Sequence, residues 1–214
     1  MRYRQQLVNR RRATKLRVTA RLREARLVEP KGLRRWGRAG LAWLATAPGL
    51  GSEARFVLDC HRAELRRLDE PILRVEVRLA TVTAADAVVL RLVAMRGVGP
   101  VTAWALRAEI GRFDRFRTGK QLARYCGRSP RHASSGQRQA DAGLIKAGSE
   151  LLRATLIEAA HRLIRSVPRR TALATALRGA GNPACVVAAA VANRWVRWLF
   201  HQVEGGVITL KTAG

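Results

Sequence analysis

LVAMRGVGPVTAWALRAEIGRFDRFRTGKQLARYCGRSPRHASSGQRQADAGLIKAGSELLRATLIEAAHRLIR, residues 92–165, is the stretch from which the fold is read. Gly97-Val98-Gly99-Pro100 lies between two segments of helical apolar spacing, which predicts helix, tight turn, helix. Glycine supplies unusual backbone angles for the turn, and Pro100 suits the first position of the second helix, where no hydrogen-bonded N–H is needed. A helix that starts behind glycines presents bare backbone N–H groups, an arrangement suited to a phosphate.

Working outward, Asp86 is placed to cap the helix that ends at this turn, and the helix Thr102–Ile110 stops at Gly111. Thr118 or Gly119 starts another helix that runs through Cys126 and stops at Gly127. Ser129–Gly143, rich in Ser, Gly, Arg and His, reads as loop. Ser149–Arg165 is amphipathic, with Leu152, Leu156, Ala159, Ala160 and Leu163 on one face, and Pro168 ends it. The last helix spans about Ala184–Val203, with Trp195, Trp198 and Leu199 as its anchor.

Upstream, residues 2–28 read as a basic helix ended by Pro30 and Gly32, and Leu33–Ala47 as a shorter one carrying Trp36 and Trp43. From Ser52 the pattern is heptad-like: Leu58, His61, Leu65, Leu68, Ile72, Val75, Leu79 and Val82 recur in steps of three and four. That is a coiled-coil seam, filled either within the chain or by a second copy, and Pro71 predicts a bend in it. The fold class expected is all-α, a bent coiled-coil helix leading into a compact helical domain with a helix-hairpin-helix element. The expected segments are a basic stretch over 1–50, the coiled-coil helix over 51–86, the compact domain over 87–204 and a loose tail over 205–214.

The 41 Lys and Arg against 15 Asp and Glu give a net charge of +26, which favours a polyanionic partner through counterion release. Arginine supplies 36 of those cations, and a GC-rich coding sequence alone would inflate it; placement argues against that origin. Residues 1–40 hold fourteen Lys and Arg and only two acids, Glu24 and Glu29. Cys60, Cys126 and Cys185 are odd in number and widely spaced, which fits a reducing cytoplasm and neither a disulfide framework nor zinc. Arginine interrupts every apolar run before it reaches membrane-spanning length, and no secretory leader is recognisable.

The residues that could carry chemistry lie in the basic loop. Ser134 and Ser135 precede Gly136, with Arg128, Arg131, His132, Arg138 and Lys146 nearby in the chain. A Ser-Gly pair is most often simply a turn, and serine is a weak nucleophile without a base or electrostatic aid. Arginines that clamp a phosphodiester would supply such aid. His132 is a base by proximity or a phosphate contact. Gly97, Gly99 and Thr102 of the turn are the other candidate DNA contacts, the alternative being a plain helix–helix connection. The five tryptophans could stack on bases, but their helical spacing among apolar neighbours favours core packing for most.

Gly-Val-Gly-Pro-Val-Thr-Ala (97–103), Glu109-Ile110-Gly111, Arg115-Phe116, Gln121-Leu122-Ala123, Pro130-Arg131, Ser135-Gly136, Lys146-Ala147-Gly148 and Leu152-Arg153 occur in a telling order. The ordered set resembles the C-terminal domain of the "one-ten" family of bacterial insertion-sequence transposases. These pair an N-terminal DEDD nuclease-like domain with a C-terminal serine domain. The sequence departs from the family at Arg128 and Ser129, where apolar residues are usual, and at Ser149, which replaces an asparagine.

The resemblance implies that Ser135, directly before the glycine, is the residue that attacks DNA, with Ser134 as the fallback. It also implies DNA and a guide RNA as partners, and cooperation between protomers through the coiled coil. The nuclease-like domain's four acids hold a divalent metal such as Mg, but no Asp or Glu precedes Glu24 here. The chain is therefore expected to bind no cofactor itself and to resemble the part that follows the metal site, as a truncation, a remnant or one piece of a split gene. Two rivals stand beside this reading: a non-catalytic nucleic-acid-binding protein, and an oligomerisation module that regulates a full-length transposase.

Overall fold

The computed structural model describes the backbone of residues 1–127, 130–135, 138–144 and 149–211, and the side chains of 1–127 and 149–203. The chain divides into two compact units, one of residues 2–78 and one of Leu79–Gly214 together with Met1. The segments expected over 1–50 and 51–86 thus share a unit through residue 78.

In the first unit, α1 (Arg2–Glu24) runs antiparallel to α3 (Ser52–Val82), with α2 (Arg38–Thr46) between them in sequence. Arg4 Nε donates to Glu76 at 2.8 Å and Arg11 Nη1 to Asp69 at 2.9 Å, while Arg17 lies 3.9 Å from Glu64. Rising numbers on one helix meet falling numbers on the other, which fixes the antiparallel sense. The apolar contacts follow the same register. Leu7 packs with Leu68 and Ile72, and Val18 and Leu22 pack with Leu44, Leu58 and Leu65. The seam from Leu58 to Ile72 is therefore filled within the chain, by Leu7, Val18 and Leu22 of α1. Val82, its last expected position, is 56% exposed. The helix is continuous across Pro71, which leaves the Arg67 carbonyl without its helical donor but does not break the rod.

The first helix stops at Glu24, short of the Val28 limit read from the sequence, and the cause is a Schellman ending. Arg26 takes a left-handed φ of 53°, Arg26 N–H donates to Arg23 O at 2.9 Å, and Leu27 N–H donates to Leu22 O at 2.8 Å. Leu27 then packs on the cluster that holds Leu22, so a half-buried leucine stabilises a turn that would ordinarily take glycine. The second helix begins at Arg38, which leaves Trp36 outside it. Its terminal carbonyls are satisfied by Arg55, which donates to Leu44 O and Ala45 O at 3.1 Å and also to Ala47 O.

In the second unit, α4 (Ala87–Val93), α5 (Pro100–Ile110), α6 (Gly119–Tyr125), α7 (Glu150–Ser166), α8 (Pro168–Gly179) and α9 (Ala184–Lys211) share one core. The last helix packs against α4, α6, α7 and α8, and α5 packs against α4 and α7. Val187, Ala188, Val191 and Ala192 bury the small-residue half of α9, and Trp195 and Leu199 fill its middle. Small side chains let neighbours come close. A side chain on Gly119, at the start of α6, would lie 2.7 Å from the Arg197 carbonyl oxygen, so only glycine fits that contact.

Most helix ends sit where the sequence put them. Asp86 caps α4 by accepting from Val88 N–H at 2.9 Å and Val89 N–H at 3.1 Å. Thr118 caps α6 and Ser149 caps α7, and Gly111 and Gly127 take positive φ after α5 and after α6. Three expectations need correction. Pro168 does not only end a helix: it occupies the first turn of α8, a twelve-residue helix not foreseen. The tail expected to be loose from Gly205 is helical to Lys211. The loop expected over Ser129–Gly143 is replaced by an antiparallel pair, β1 (Pro130–Ser135) and β2 (Arg138–Leu144). The class remains all-α, with this two-stranded ribbon inserted between α6 and α7.

Candidate nucleic-acid interface

The turn between α4 and α5 separates its two glycines by role. Gly97 has a φ of 84°, and a side chain on it would meet Leu163 Cδ2 at 2.9 Å, so it is glycine for both conformational and packing reasons. Gly99 has an ordinary φ of −90° as the N-cap of α5. A Cβ there would meet only Arg162 Nη1, at 3.9 Å. The unusual backbone angle expected of the turn's glycines therefore belongs to Gly97, while Gly99 keeps the helix start open.

Thr102 is not on that open surface. It is 1% exposed, and its hydroxyl accepts from Arg162 Nη2 at 3.0 Å. The contact orients the Arg162 guanidinium beside Gly99, where the first N–H groups of α5 have no partner within their helix. Arg96, exposed within the turn, is a second cation there. Neither arginine was singled out from the sequence. Arg96 lies next to Gly97 and was legible, but Arg162 is sixty-three positions from Gly99 and only the fold joins them.

Asp86 ties this corner together. Besides its two capping bonds it accepts from Arg107 Nε at 2.7 Å, and Arg107 Nη1 donates to the Gly111 carbonyl at 2.7 Å. Burial by itself would raise the Asp86 carboxyl pKa. The Arg107 and backbone hydrogen bonds outweigh that and hold it below its ordinary value. Trp104 Nε1 donates to Thr83 Oγ1 at 2.9 Å, so this tryptophan is core and not a stacking platform. Asp114 and Arg115 are equally occupied. Arg112 chelates Asp114, and the Arg115 guanidinium covers the Phe116 and Tyr125 rings at 4.7 and 4.5 Å.

The ribbon carries the remaining candidates. Ser135 closes β1 opposite Arg138, the first residue of β2; Ser134 faces Gln139 and His132 faces Asp141 in register. The register shifts between Pro130 and His132, at Arg131. Arg128 and Lys146 lie outside the described residues, as do the side chains of Arg131, His132, Ser134, Ser135 and Arg138. Among the described residues no three His, Cys, Asp or Glu side chains come together, so they offer no fit for a metal ion. No described helix is long and apolar enough to cross a membrane.

Residues 90–174, from Leu90 in α4 to Ala174 in α8, match the family model "Transposase IS116/IS110/IS902 family". The matched span therefore includes the turn, the ribbon and α7. A probable family 20 transposase of Pseudomonas aeruginosa is 37% identical over 140 residues, which is 64% of this chain and 41% of that protein. The transposase for insertion sequence element IS1111A of Coxiella burnetii is 32% identical over 172 residues, 80% of this chain and 47% of that protein. A putative transposase, y4qE, of Sinorhizobium fredii is 30% identical over 129 residues, 60% of this chain and 30% of that protein. The chain spans less than half the length of these relatives. Over residues 90–174 the chain thus matches the IS116/IS110/IS902 transposase family, as the ordered motifs implied.

Proposed function

We propose that the chain acts in DNA transposition as the C-terminal serine domain of a strand-transfer enzyme. The observation that carries the reading is the family match, which runs unbroken across the α4–α5 turn, the ribbon and α7. Gly99 and the neighbouring Arg162 give the turn a place for a backbone phosphate, with Gly97 and Thr102 supporting it from behind. Ser135 is the nucleophile, attacking a phosphodiester held by Arg128, Arg131, His132, Arg138 and Lys146. In that step the serine Oγ–P bond forms, the bond from phosphorus to the leaving deoxyribose oxygen breaks, and the serine proton passes to a base.

Serine needs activation for this chemistry. The described residues supply no metal site, so no metal-assisted step is assigned to the chain. Activation would come from the nuclease-like domain that the family resemblance implies, whose acids would hold a divalent metal. A guide RNA and a homo-oligomer belong to the same proposal. The oligomer rests on surfaces other than the Leu58–Ile72 seam, because α1 covers that seam.

Mixing the chain with the metal-site domain of a complete relative and a DNA substrate tests the reading. A covalent protein–DNA adduct is expected, lost in Ser135→Ala and kept in Ser134→Ala, with the bond mapped by mass spectrometry. An adduct at Ser134, or turnover by the chain alone without metal, would contradict it.

A further inference from the structure

A cavity of about 380 Å³ lies between α8 and α9, away from both the turn and the ribbon in sequence. The last helix lines it with Arg194, Arg197, Trp198 and His201, spaced i, i+3, i+4 and i+7, so they form one stripe. The first turns of α8 add Arg169, Arg170 and Leu173. Among the described residues no acid balances them. Residues 159–203 contain seven arginines and no Asp or Glu.

Arg170 is the informative member. It is 9% exposed, and among the described residues its guanidinium has no hydrogen-bond acceptor and no carboxylate. Burying a charge without a partner is costly, and buried arginines are ordinarily paired. Burial, followed by the charges of Arg169 and Arg194, lowers its pKa, so the cavity disfavours its own positive charge. An anion seated there would remove that penalty. Guanidinium groups on two helices suit a phosphate, which they can grip bidentately. Trp198 supplies the second half of a ligand's surface. Trp195, three residues earlier, is buried in the core, whereas Trp198 is 37% exposed at the cavity. A base already stacked inside a duplex has no face to offer that ring, and an unpaired one does.

We propose that this cavity binds an unpaired nucleic-acid strand, with a phosphodiester among Arg169, Arg170, Arg194 and Arg197 and a neighbouring base stacked on Trp198. The site is separate from Ser135 and does not require that serine to be a nucleophile. It adds a place for a displaced or guiding strand to a chain whose turn suits backbone phosphates.

Fluorescence anisotropy of the full chain with labelled oligo(dT), oligo(U) and a blunt DNA duplex tests it. The double variant Arg194→Gln, Arg197→Gln should weaken oligo(dT) binding at least tenfold at about 0.1 M salt. It should also flatten the log–log salt dependence by about 1.4, two contacts at roughly 0.7 each on a single strand. The double variant Arg67→Gln, Arg78→Gln removes equal charge from exposed positions of α3 and should change oligo(dT) affinity less than twofold. Trp198→Ala should weaken oligo(dT) binding about fivefold or more and leave duplex binding within twofold, in line with the ~1–3 kcal/mol of one stacked base.

Equal losses in the two arginine pairs would overturn the site in favour of general charge. An unchanged Trp198→Ala would overturn the unpaired strand. Wild-type binding to duplex but not to either single strand would overturn this inference alone. Absence of all nucleic-acid binding would overturn the proposed function as well. Tighter binding of oligo(U) than of oligo(dT) would support the site and name RNA as its strand; the reverse would support it and name DNA.

Discussion

The α1–α3 hairpin and the α8–α9 wall are both rich in arginine, and they treat it in opposite ways. Along the hairpin, Arg4, Arg11 and Arg17 reach Glu76, Asp69 and Glu64, so cations that look like a polyanion footprint in sequence hold two helices in register. Along the wall, Arg169, Arg170, Arg194 and Arg197 meet no acid among the described residues, and one of them is buried. The count of charges is a weak guide to where a polyanion binds. What separates the two regions is whether the acids that could neutralise the arginines fold against them.

If the hairpin is structural, its largest vulnerability is apolar. Leu65→Asp combined with Ile72→Asp puts two carboxylates where side chains are 6% and 4% exposed. The cost should exceed ~4 kcal/mol and remove the cooperative melting of residues 2–78, seen as lost helical circular dichroism. A folded variant that has merely lost self-association would show instead that the seam serves a second copy.

The turn offers the next contrast. Gly97→Val combines a left-handed φ with a 2.9 Å clash against Leu163 and should cost about 2–4 kcal/mol in denaturant melts. Gly99→Val fits its backbone region and meets only a guanidinium nitrogen, so its loss should stay near ~1 kcal/mol while duplex affinity falls several-fold. Equal stability losses at the two positions would remove the distinction between a packing glycine and an access glycine.

Smaller effects follow at the paired acids. Asp86→Ala loses two capping bonds and the Arg107 contact and should cost about 1–2 kcal/mol. The wild-type carboxyl titrates below its ordinary value in the folded state. Its contribution is therefore complete above the ordinary carboxylate range and declines as pH falls through the depressed folded value. The stability gap between wild type and Asp86→Ala should narrow as acid is added and stay flat from pH 5 to 8; a gap that widens in acid would reverse the assignment. Arg11→Gln, at a half-exposed pair on the hairpin, should cost no more than about 1 kcal/mol.

How legible each feature was follows from the physics that made it. Helix starts were readable because one side chain does the capping locally, as at Asp86, Thr118 and Ser149. The partner of the heptad seam was obscured by composition. Leu7, Val18 and Leu22 lie on one stripe of α1, but the arginines around them dominate the reading. Pro168 reads as a stop in the sequence although proline is equally a helix start, and that ambiguity hides α8. The ribbon left little trace because Pro130–Ser135 and Arg138–Leu144 have few apolar residues, so a period of two carries almost no signal. The α8–α9 cavity joins arginines about twenty-five positions apart, which only the fold reveals. Its single advance sign was the acid-free run over 159–203.

Arginine-specific labelling with phenylglyoxal, read residue by residue by mass spectrometry with and without single-stranded DNA, compares the two regions in one experiment. Strong protection of Arg169, Arg194 and Arg197 is expected, with Arg4, Arg11 and Arg17 equally slow to react in both states because Glu76, Asp69 and Glu64 already engage them. Protection gathered on α1, with Arg194 and Arg197 still fully reactive beside bound DNA, would contradict it.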